Sequence, residues 1–196
     1  LVQTFSYPHA TVRLQFFKFT AWRGQPQPKE GQQFAWFKQG TQAIDAILPA
    51  NAPILAALAL PPVISISHAE LIGVDAYLGQ LEQQLQQSPR RMVLVRDKSL
   101  PPKERHRLSV RAHTLTQAYG VPLILHADAP LLDLPFSPDG WHMSTAQCQQ
   151  ADLPAYLATL PVAGKGIYGA SCHSAQALQQ AAEHQLNYAF LSPILP

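Results

Sequence analysis

Polar and charged side chains lie at or just beyond the ends of short apolar segments that predict β-strands. They are Arg96, Asp97 and Lys98 after Met92–Val95, His126 and Asp128 after residues 121–125, His142 within Gly140–Met143, Ser171, Cys172 and His173 after residues 166–169, and Ser192 after Tyr188–Leu191. Cations beside an acid, followed by a carboxylate and imidazoles, suit a phosphorylated ligand that is handled with a metal ion or a proton shuttle. These strand ends are therefore the candidate site.

Some of these residues also have a plainer interpretation. Arg96 and Lys98 alternate along the chain, so both can point to one side while Asp97 turns away. The same two cations would also fit a solvated loop. His142 is as consistent with a hydrogen-bonded core histidine as with a ligand, because it lies inside a predicted strand.

From residue 63 onward, apolar segments typical of strands alternate with segments typical of helices. The predicted strands cover residues 63–67, 92–95, 121–125, 140–143, 166–169 and 188–191, and the predicted helices cover residues 74–87, 103–119, 147–160 and 174–184. This alternation predicts an α/β fold with a parallel sheet, either doubly wound or a (β/α) barrel. No G-x-G-x-x-G or Walker A motif follows a strand, which favours the barrel, where functional residues follow the strands.

The first 60 residues have a different, β-rich pattern. Residues 11–21 and 33–38 predict strands, and residues 54–60 predict an apolar helix with Asn51 as its N-cap. Two prolines at 61 and 62 end this helix. They predict a boundary between a first domain, residues 1–60, and a second domain, residues 63–196.

Composition excludes several classes of protein. The 196 residues carry a formal net charge of +2, too little basic charge to predict nucleic acid as a partner. No segment predicts a signal peptide or a membrane span, so no membrane partner is expected. Two cysteines do not make a disulfide framework, which favours a cytoplasmic protein. The start at Leu1 and the apolar end at Pro196 indicate a piece of a longer protein.

The motifs of residues 63–196 resemble those of the thiamine phosphate synthase/TenI family. The matching segments are R-D-K at 96–98, H-A-D at 126–128, D-G-W-H-M at 139–143, G-A-S-C-H at 169–173 and S-P-I-L at 192–195. The resemblance implies an incomplete TIM-type (β/α) barrel, with six predicted strands of the usual eight. It also implies that a thiamine-related phosphate is bound by Arg96, Lys98, His126, Ser171 and Ser192.

The same resemblance leaves the reaction open. In the synthase, two Asp residues hold magnesium against pyrophosphate; the first corresponds to Asp128, but residues 144–147 provide no second carboxylate. A single carboxylate would hold phosphate-bridging magnesium poorly. The pattern is therefore closer to TenI, which implies tautomerisation with His173 as acid or base, or ligand binding without catalysis. An exposed position for His173 beside a helix cap is the alternative interpretation.

The first 60 residues resemble the C-terminal half of a MutT-type Nudix hydrolase. The matching segments are Y-P-H at 7–9, G-Q-P-Q-P-K-E-G-Q at 24–32, Trp36 and P-A-N-A-P at 49–53. This resemblance implies hydrolysis of nucleoside triphosphates such as 8-oxo-dGTP by water activated on Mg²⁺ or Mn²⁺. It makes Glu30 a metal-binding and catalytic carboxylate, Asn51 the reader of the purine edge and Tyr7 a substrate contact.

The helix that provides most metal ligands of Nudix hydrolases, G-x5-E-x7-R-E-x-x-E-E, is absent from the sequence. The chain alone is therefore expected to be inactive on nucleotides, and the hydrolase assignment applies to the longer protein. The main hypothesis is a Nudix hydrolase fused to a thiamine phosphate synthase/TenI-like barrel. The alternatives are a thiamine-biosynthesis enzyme, either synthase or thiazole tautomerase, and a non-catalytic barrel that binds a phosphate ligand.

Overall fold

The computed structural model describes residues 2–31, 36, 51–127, 133–150 and 152–193. The chain divides into two compact units, Leu1–Ala59 and Leu60–Pro196. Within the described residues, no helix is both long enough and apolar enough to cross a membrane.

The first unit contains a β-hairpin and a helix. Strand β1 (Val2–Tyr7) pairs antiparallel with β2 (Ala10–Gln15). The strand predicted over residues 11–21 is too long, because β1 provides pairing partners only as far as the end of β2. Helix α1 covers Ala52–Ala59. The strand predicted over residues 33–38 lies outside the described residues, except for Trp36.

The second unit is a six-stranded parallel sheet with helices between its strands. Its elements are β3 (Ile64–Ile66), α2 (Ala69–Ile72), α3 (Val74–Gln87), β4 (Met92–Val95), α4 (Pro102–Ala118), β5 (Leu123–His126), β6 (Gly140–Met143), α5 (Thr145–Cys148), α6 (Leu153–Thr159), β7 (Ile167–Cys172), α7 (Ala175–Glu183) and β8 (Tyr188–Leu191). Each strand pairs with the next one along the chain, without reversal. A doubly wound sheet reverses its strand order at a switch point. The constant order therefore defines an α/β fold of the (β/α) barrel type, as predicted.

The two faces of this sheet are packed differently. On the outer face, alternate strand residues such as Val93, Leu125 and Met143 form one cluster with apolar residues of the helices. The inner face carries a second cluster that comes from strands alone, with Leu94 and Ile124 at its centre. Successive strand residues point to opposite faces of a sheet. The side chains two positions after Leu94 and Ile124, those of Arg96 and His126, therefore also lie on the inner side.

The helix predicted over residues 147–160 is in fact two helices. Ser144 and Gln147 form a capping box on α5. The Asp152 carboxylate then accepts a hydrogen bond from the Ala155 N–H at 3.1 Å. This second N-cap begins α6 as a separate helix, and apolar periodicity alone does not reveal it.

Strand β7 and helix α2 also differ from the prediction. Strand β7 pairs with β8 as far as Cys172, so Ser171 and Cys172 lie within the strand instead of following it. His126, predicted to follow its strand, is the last residue of β5. Helix α2 was not predicted because four residues are too few to show a helical period.

Strands β6 and β7 approach too closely at Gly140 for any side chain. A Cβ at this position would lie 1.8 Å from the carbonyl oxygen of Ile167. We expect Gly140→Ala to lower the free energy of unfolding by at least about 2 kcal/mol, because the backbone must shift to admit the methyl group. Urea unfolding measures this difference.

Gly79→Ala is the matched control. Gly79 is exposed in α3, and a Cβ there would meet nothing within 4 Å. This variant should gain up to about 1 kcal/mol, because Ala has the higher helix propensity. Equal stability of the two variants would contradict the close approach at Gly140.

Candidate functional site

Asp97 fixes the loop that follows β4. Only 2% of its surface is exposed. Its carboxylate accepts one hydrogen bond from the Ser67 hydroxyl and one from the Glu70 backbone N–H, the latter at 2.8 Å. The Ser67 Oγ in turn accepts a hydrogen bond from the Arg96 N–H at 2.8 Å. These bonds tie the β4 loop to the end of β3 and to α2.

Arg96 and Lys98 flank Asp97 and are both exposed. They line an open, shallow cleft at the ends of β4 and β5. Its other lining residues are Val95, Asp97, Arg105, Ser109, Leu125, His126, Leu134 and Trp141. The carboxylate oxygens of Asp97 accept hydrogen bonds from β3 and α2. The charge that this cleft offers to a ligand is therefore mainly the positive charge of its two arginines and its lysine.

A second group of polar side chains lies on the inner face of the sheet. His142 is 0% exposed, its Nδ1 lies 3.1 Å from the Tyr188 hydroxyl and its Nε2 lies 2.9 Å from the Ser171 Oγ. The ring of buried His126 lies 5.7 Å from that of His142, centroid to centroid. Burial raises the pKa of Tyr188, so its phenol keeps its proton at neutral pH. His142 is thus a hydrogen-bonded interior histidine that contacts a predicted site residue.

His173 and Ser192 meet beyond the ends of β7 and β8. The Nδ1 of exposed His173 lies 2.5 Å from the Ser192 carbonyl oxygen. A carbonyl oxygen only accepts hydrogen bonds, so Nδ1 donates and the Nε2 of the neutral ring keeps its lone pair. Ser174 caps α7 by accepting a hydrogen bond from the Ala177 N–H at 3.1 Å. His173 therefore is an exposed neighbour of a helix cap and also has a nitrogen that can accept a proton.

Neither cysteine has the properties of an activated nucleophile. Cys148 and Cys172 are buried free thiols. Burial raises the pKa of Cys148 to about 11 and also raises the pKa of Cys172. The thiolate is the reactive form. Cys172 packs in the outer cluster of the sheet, although it lies between two predicted site residues in the sequence.

Four other residues were predicted as site residues, namely Asp128, Glu30, Asn51 and Tyr7. Asp128 lies outside the described residues, so its role as a metal ligand stays a prediction. Glu30, Asn51 and Tyr7 belong to the first unit. There, Glu30 is exposed, Asn51 directly precedes α1 and Tyr7 ends β1.

Two further residues that contact the candidate site were not predicted as site residues. Arg105 lies in the first turn of α4 and lines the cleft. No sequence pattern distinguishes it from the other basic residues of that helix. Tyr188 pairs with Gly169, which leaves room for its ring, but only the folded sheet shows this pairing.

The described residues do not by themselves form the predicted magnesium site. No group of three or more His, Cys, Asp or Glu side chains among them could hold a metal ion. Near the position of the missing second carboxylate, Gln147 accepts a hydrogen bond from the Ser144 N–H at 2.8 Å and donates one to the Tyr156 hydroxyl at 3.1 Å. The chemistry that this part of the chain offers is that of cations, imidazoles and hydroxyls.

The fold and these side chains define a (β/α) barrel with basic and imidazole groups at the carboxyl ends of its strands. The family model for thiamine monophosphate synthase (TMP-TENI) matches residues 63–196. This match covers more than half of the chain, and the chain belongs to the thiamine monophosphate synthase family.

Two known proteins are similar to the chain. Thiamine-phosphate synthase from Alkaliphilus oremlandii is 30% identical over 105 residues, which are 54% of this chain and 47% of that protein. The chain thus spans about half the length of this curated relative. The solved structure of thiamine phosphate pyrophosphorylase from Pyrococcus furiosus aligns with a TM-score of 0.49 and 17% identity, over 69% of this chain and 62% of that chain.

The family match begins at residue 63. The resemblance of residues 1–60 to a Nudix hydrolase therefore gains no support from these comparisons. It stays a prediction, and the thiamine-related alternative is the better supported of the two.

Asp97→Ala tests the role of the buried carboxylate. The variant leaves the Ser67 hydroxyl and the Glu70 N–H without their acceptor, which should lower the free energy of unfolding by about 2–3 kcal/mol. The control is Asp75→Ala, since this exposed carboxylate pairs with two arginines of α4 and should contribute much less. Urea unfolding at pH 7 compares both variants, and equally small losses would show that Asp97 does not anchor the loop.

Proposed function

We propose that the barrel binds thiamine phosphate or its phosphorylated thiazole precursor as part of thiamine biosynthesis. The observation that carries the proposal is the cleft at the ends of β4 and β5, where Arg96, Lys98 and Arg105 converge beside the loop that Asp97 fixes. Membership of the thiamine monophosphate synthase family supports this class of ligand.

The composition of the cleft suits a phosphorylated heterocycle. A guanidinium group donates paired hydrogen bonds to phosphate oxygens, and an ammonium group adds a compact positive charge. Partly exposed Leu134 lines the same cleft and offers apolar surface to the uncharged part of the ligand. Binding sites of this kind combine an apolar lining with a few placed polar groups.

The reaction that we propose for this site is proton transfer on the thiazole ring. His173 supports it, because the Ser192 carbonyl orients the ring and leaves Nε2 as the proton acceptor. The second candidate is the coupling of thiazole and pyrimidine precursors, which the family model favours and which would require Asp128 and a further carboxylate for magnesium.

An Arg96→Ala/Lys98→Ala double variant tests the phosphate site. Hydrogen bonds to charged groups contribute about 1.5–3 kcal/mol each, so the affinity for thiamine phosphate should fall at least about tenfold. The affinity of the wild-type chain should also decrease as the salt concentration rises. Isothermal titration calorimetry measures both effects.

Arg107→Ala/Arg111→Ala is the control for this experiment. It removes the same charge, but both arginines pair with Asp75 at the exposed surface of α3 and α4. The control should bind thiamine phosphate within about twofold of the wild-type chain, because screened surface charges contribute little at this distance. Equal losses of affinity in the two double variants would show that only the overall charge of the chain matters, and would contradict the proposed site.

His173→Gln tests the proposed proton transfer. Exchange of the thiazole ring proton in D₂O, followed by NMR, should slow by at least about 100-fold if His173 is the base. His184→Gln is the control, because His184 ends α7 and lies near the opposite edge of the sheet. Magnesium-dependent formation of thiamine phosphate from the two precursors would contradict the tautomerase proposal and favour the synthase.

For the first unit we propose a separate function in the longer protein, the hydrolysis of oxidised purine nucleoside triphosphates. The Trp22 and Trp36 rings stack with their centroids 5.6 Å apart, and Phe19 and Arg23 line the same apolar cleft. Aromatic faces of this kind stack on nucleobases. This cleft supports nucleotide binding, and the resemblance to MutT-type hydrolases supplies the reaction.

Glu30→Gln in the longer protein tests this second function. If Glu30 holds a metal ion or acts as the base, turnover of 8-oxo-dGTP should fall by at least about 100-fold. Glu82→Gln is the matched control, since Glu82 is exposed on α3 in the second unit. Normal turnover by the Glu30 variant would remove the hydrolase assignment.

A further inference from the structure

His142, Gly169 and Tyr188 stand in one row across three neighbouring strands. His142 pairs with Gly169, and Gly169 pairs with Tyr188. A Cβ on Gly169 would lie 2.1 Å from the Tyr188 ring. The glycine therefore lets the Tyr188 ring extend across β7 to reach His142, with 3.1 Å between its hydroxyl and the histidine Nδ1.

The donor of the hydrogen bond between Tyr188 and His142 can be assigned. Among the described residues, the Tyr188 hydroxyl has no hydrogen-bond partner other than His142. A phenol is a better hydrogen-bond donor than acceptor. The Tyr188 phenol is also protonated, because burial raises its pKa. The opposite direction would make Ser171 the donor to Nε2 and Tyr188 the acceptor from Nδ1, and an aliphatic hydroxyl is a weaker donor than a phenol. Tyr188 therefore donates to Nδ1.

The donation from Tyr188 sets the other nitrogen of the ring. A neutral imidazole has one N–H and one lone pair, so a lone pair at Nδ1 places the proton on Nε2. Nε2 then donates to the Ser171 Oγ, 2.9 Å away. Ser171 lies on the inner face near the carboxyl end of β7. Among the described residues, no hydrogen bond uses the Ser171 O–H proton once Ser171 accepts from Nε2.

We propose that Tyr188 is a positioning residue that, through His142, holds the Ser171 hydroxyl as a hydrogen-bond donor to an anionic oxygen of the ligand. This inference rests on the proposed function, since it concerns the same phosphorylated ligand. In a Ser–His–carboxylate triad the carboxylate accepts from Nδ1–H, so Nε2 takes the proton of the serine. Tyr188 takes the place of this carboxylate but donates to Nδ1 instead of accepting from it, so Nε2 carries a proton and cannot take one from the serine. Ser171 is therefore a ligand contact and not a nucleophile.

The first test reads the tautomer directly. In long-range ¹H–¹⁵N NMR spectra of the full chain, His142 should show a protonated Nε2 and an unprotonated Nδ1. In Tyr188→Phe this single tautomer should be lost, whereas Tyr168→Phe, the same chemical change on the outer side of β7, should keep it. An unchanged His142 spectrum in Tyr188→Phe, or a protonated Nδ1 in the wild-type chain, would overturn the inference.

The second test measures the consequence for binding. Tyr188→Phe should weaken thiamine phosphate binding several-fold, Ser171→Ala should weaken it at least as much, and Tyr168→Phe should not change it. If Tyr188→Phe fails to fold, Ser171→Ala still tests the inference, because it should lose affinity while His142 keeps its Nε2–H tautomer. Labelling of Ser171 by a fluorophosphonate probe would show a nucleophile and overturn the inference. Failure of the wild-type chain to bind thiamine phosphate would overturn the proposed function, and the tautomer test would still decide the role of Tyr188.

Discussion

The ligand edge of the barrel depends on one buried carboxylate. A carboxylate that is 2% exposed needs hydrogen-bond donors, and Asp97 takes them from Ser67 and from the backbone of Glu70. These donors belong to two other segments, the end of β3 and the first turn of α2. A four-residue helix has little stability of its own, so its contact with Asp97 helps to explain why it forms. Arg96 and Lys98 flank Asp97 on this anchored loop, and both line the cleft.

The two faces of the sheet carry different kinds of side chain. The outer face packs against the helices through apolar side chains, and the reactive atoms of both cysteines are buried there with raised pKa values. The inner face carries Leu94 and Ile124 on β4 and β5. On β6, β7 and β8 it carries the hydrogen-bonded side chains of His142, Ser171 and Tyr188. Two glycines allow close contacts between strands. Gly140 leaves room for the backbone of the neighbouring strand, and Gly169 leaves room for a tyrosine ring.

Much of the fold could be predicted because its signals are local. The apolar runs of β4, β6 and β8 and the amphipathic α3 have the predicted bounds, since burial on a sheet face or a helix face leaves a period in the sequence. The break between α5 and α6 depends on the side-chain cap of Asp152, and the length of β7 depends on pairing with β8, so neither appears as a period. Arg96 and Lys98 are exposed beside buried Asp97, and their role as ligand contacts stays a prediction. The contacts of Asp97 and Tyr188 could not be predicted, because they join residues 27–46 positions apart that only the folded sheet brings together.

A crystal structure of the chain with thiamine phosphate would show whether Arg96 and Lys98 form the phosphate site on the loop that Asp97 fixes. We expect phosphate oxygens within hydrogen-bond distance of both side chains, with the contacts of Asp97 to Ser67 and Glu70 unchanged. A phosphate group bound elsewhere, with Arg96 and Lys98 pointing to solvent, would contradict this expectation.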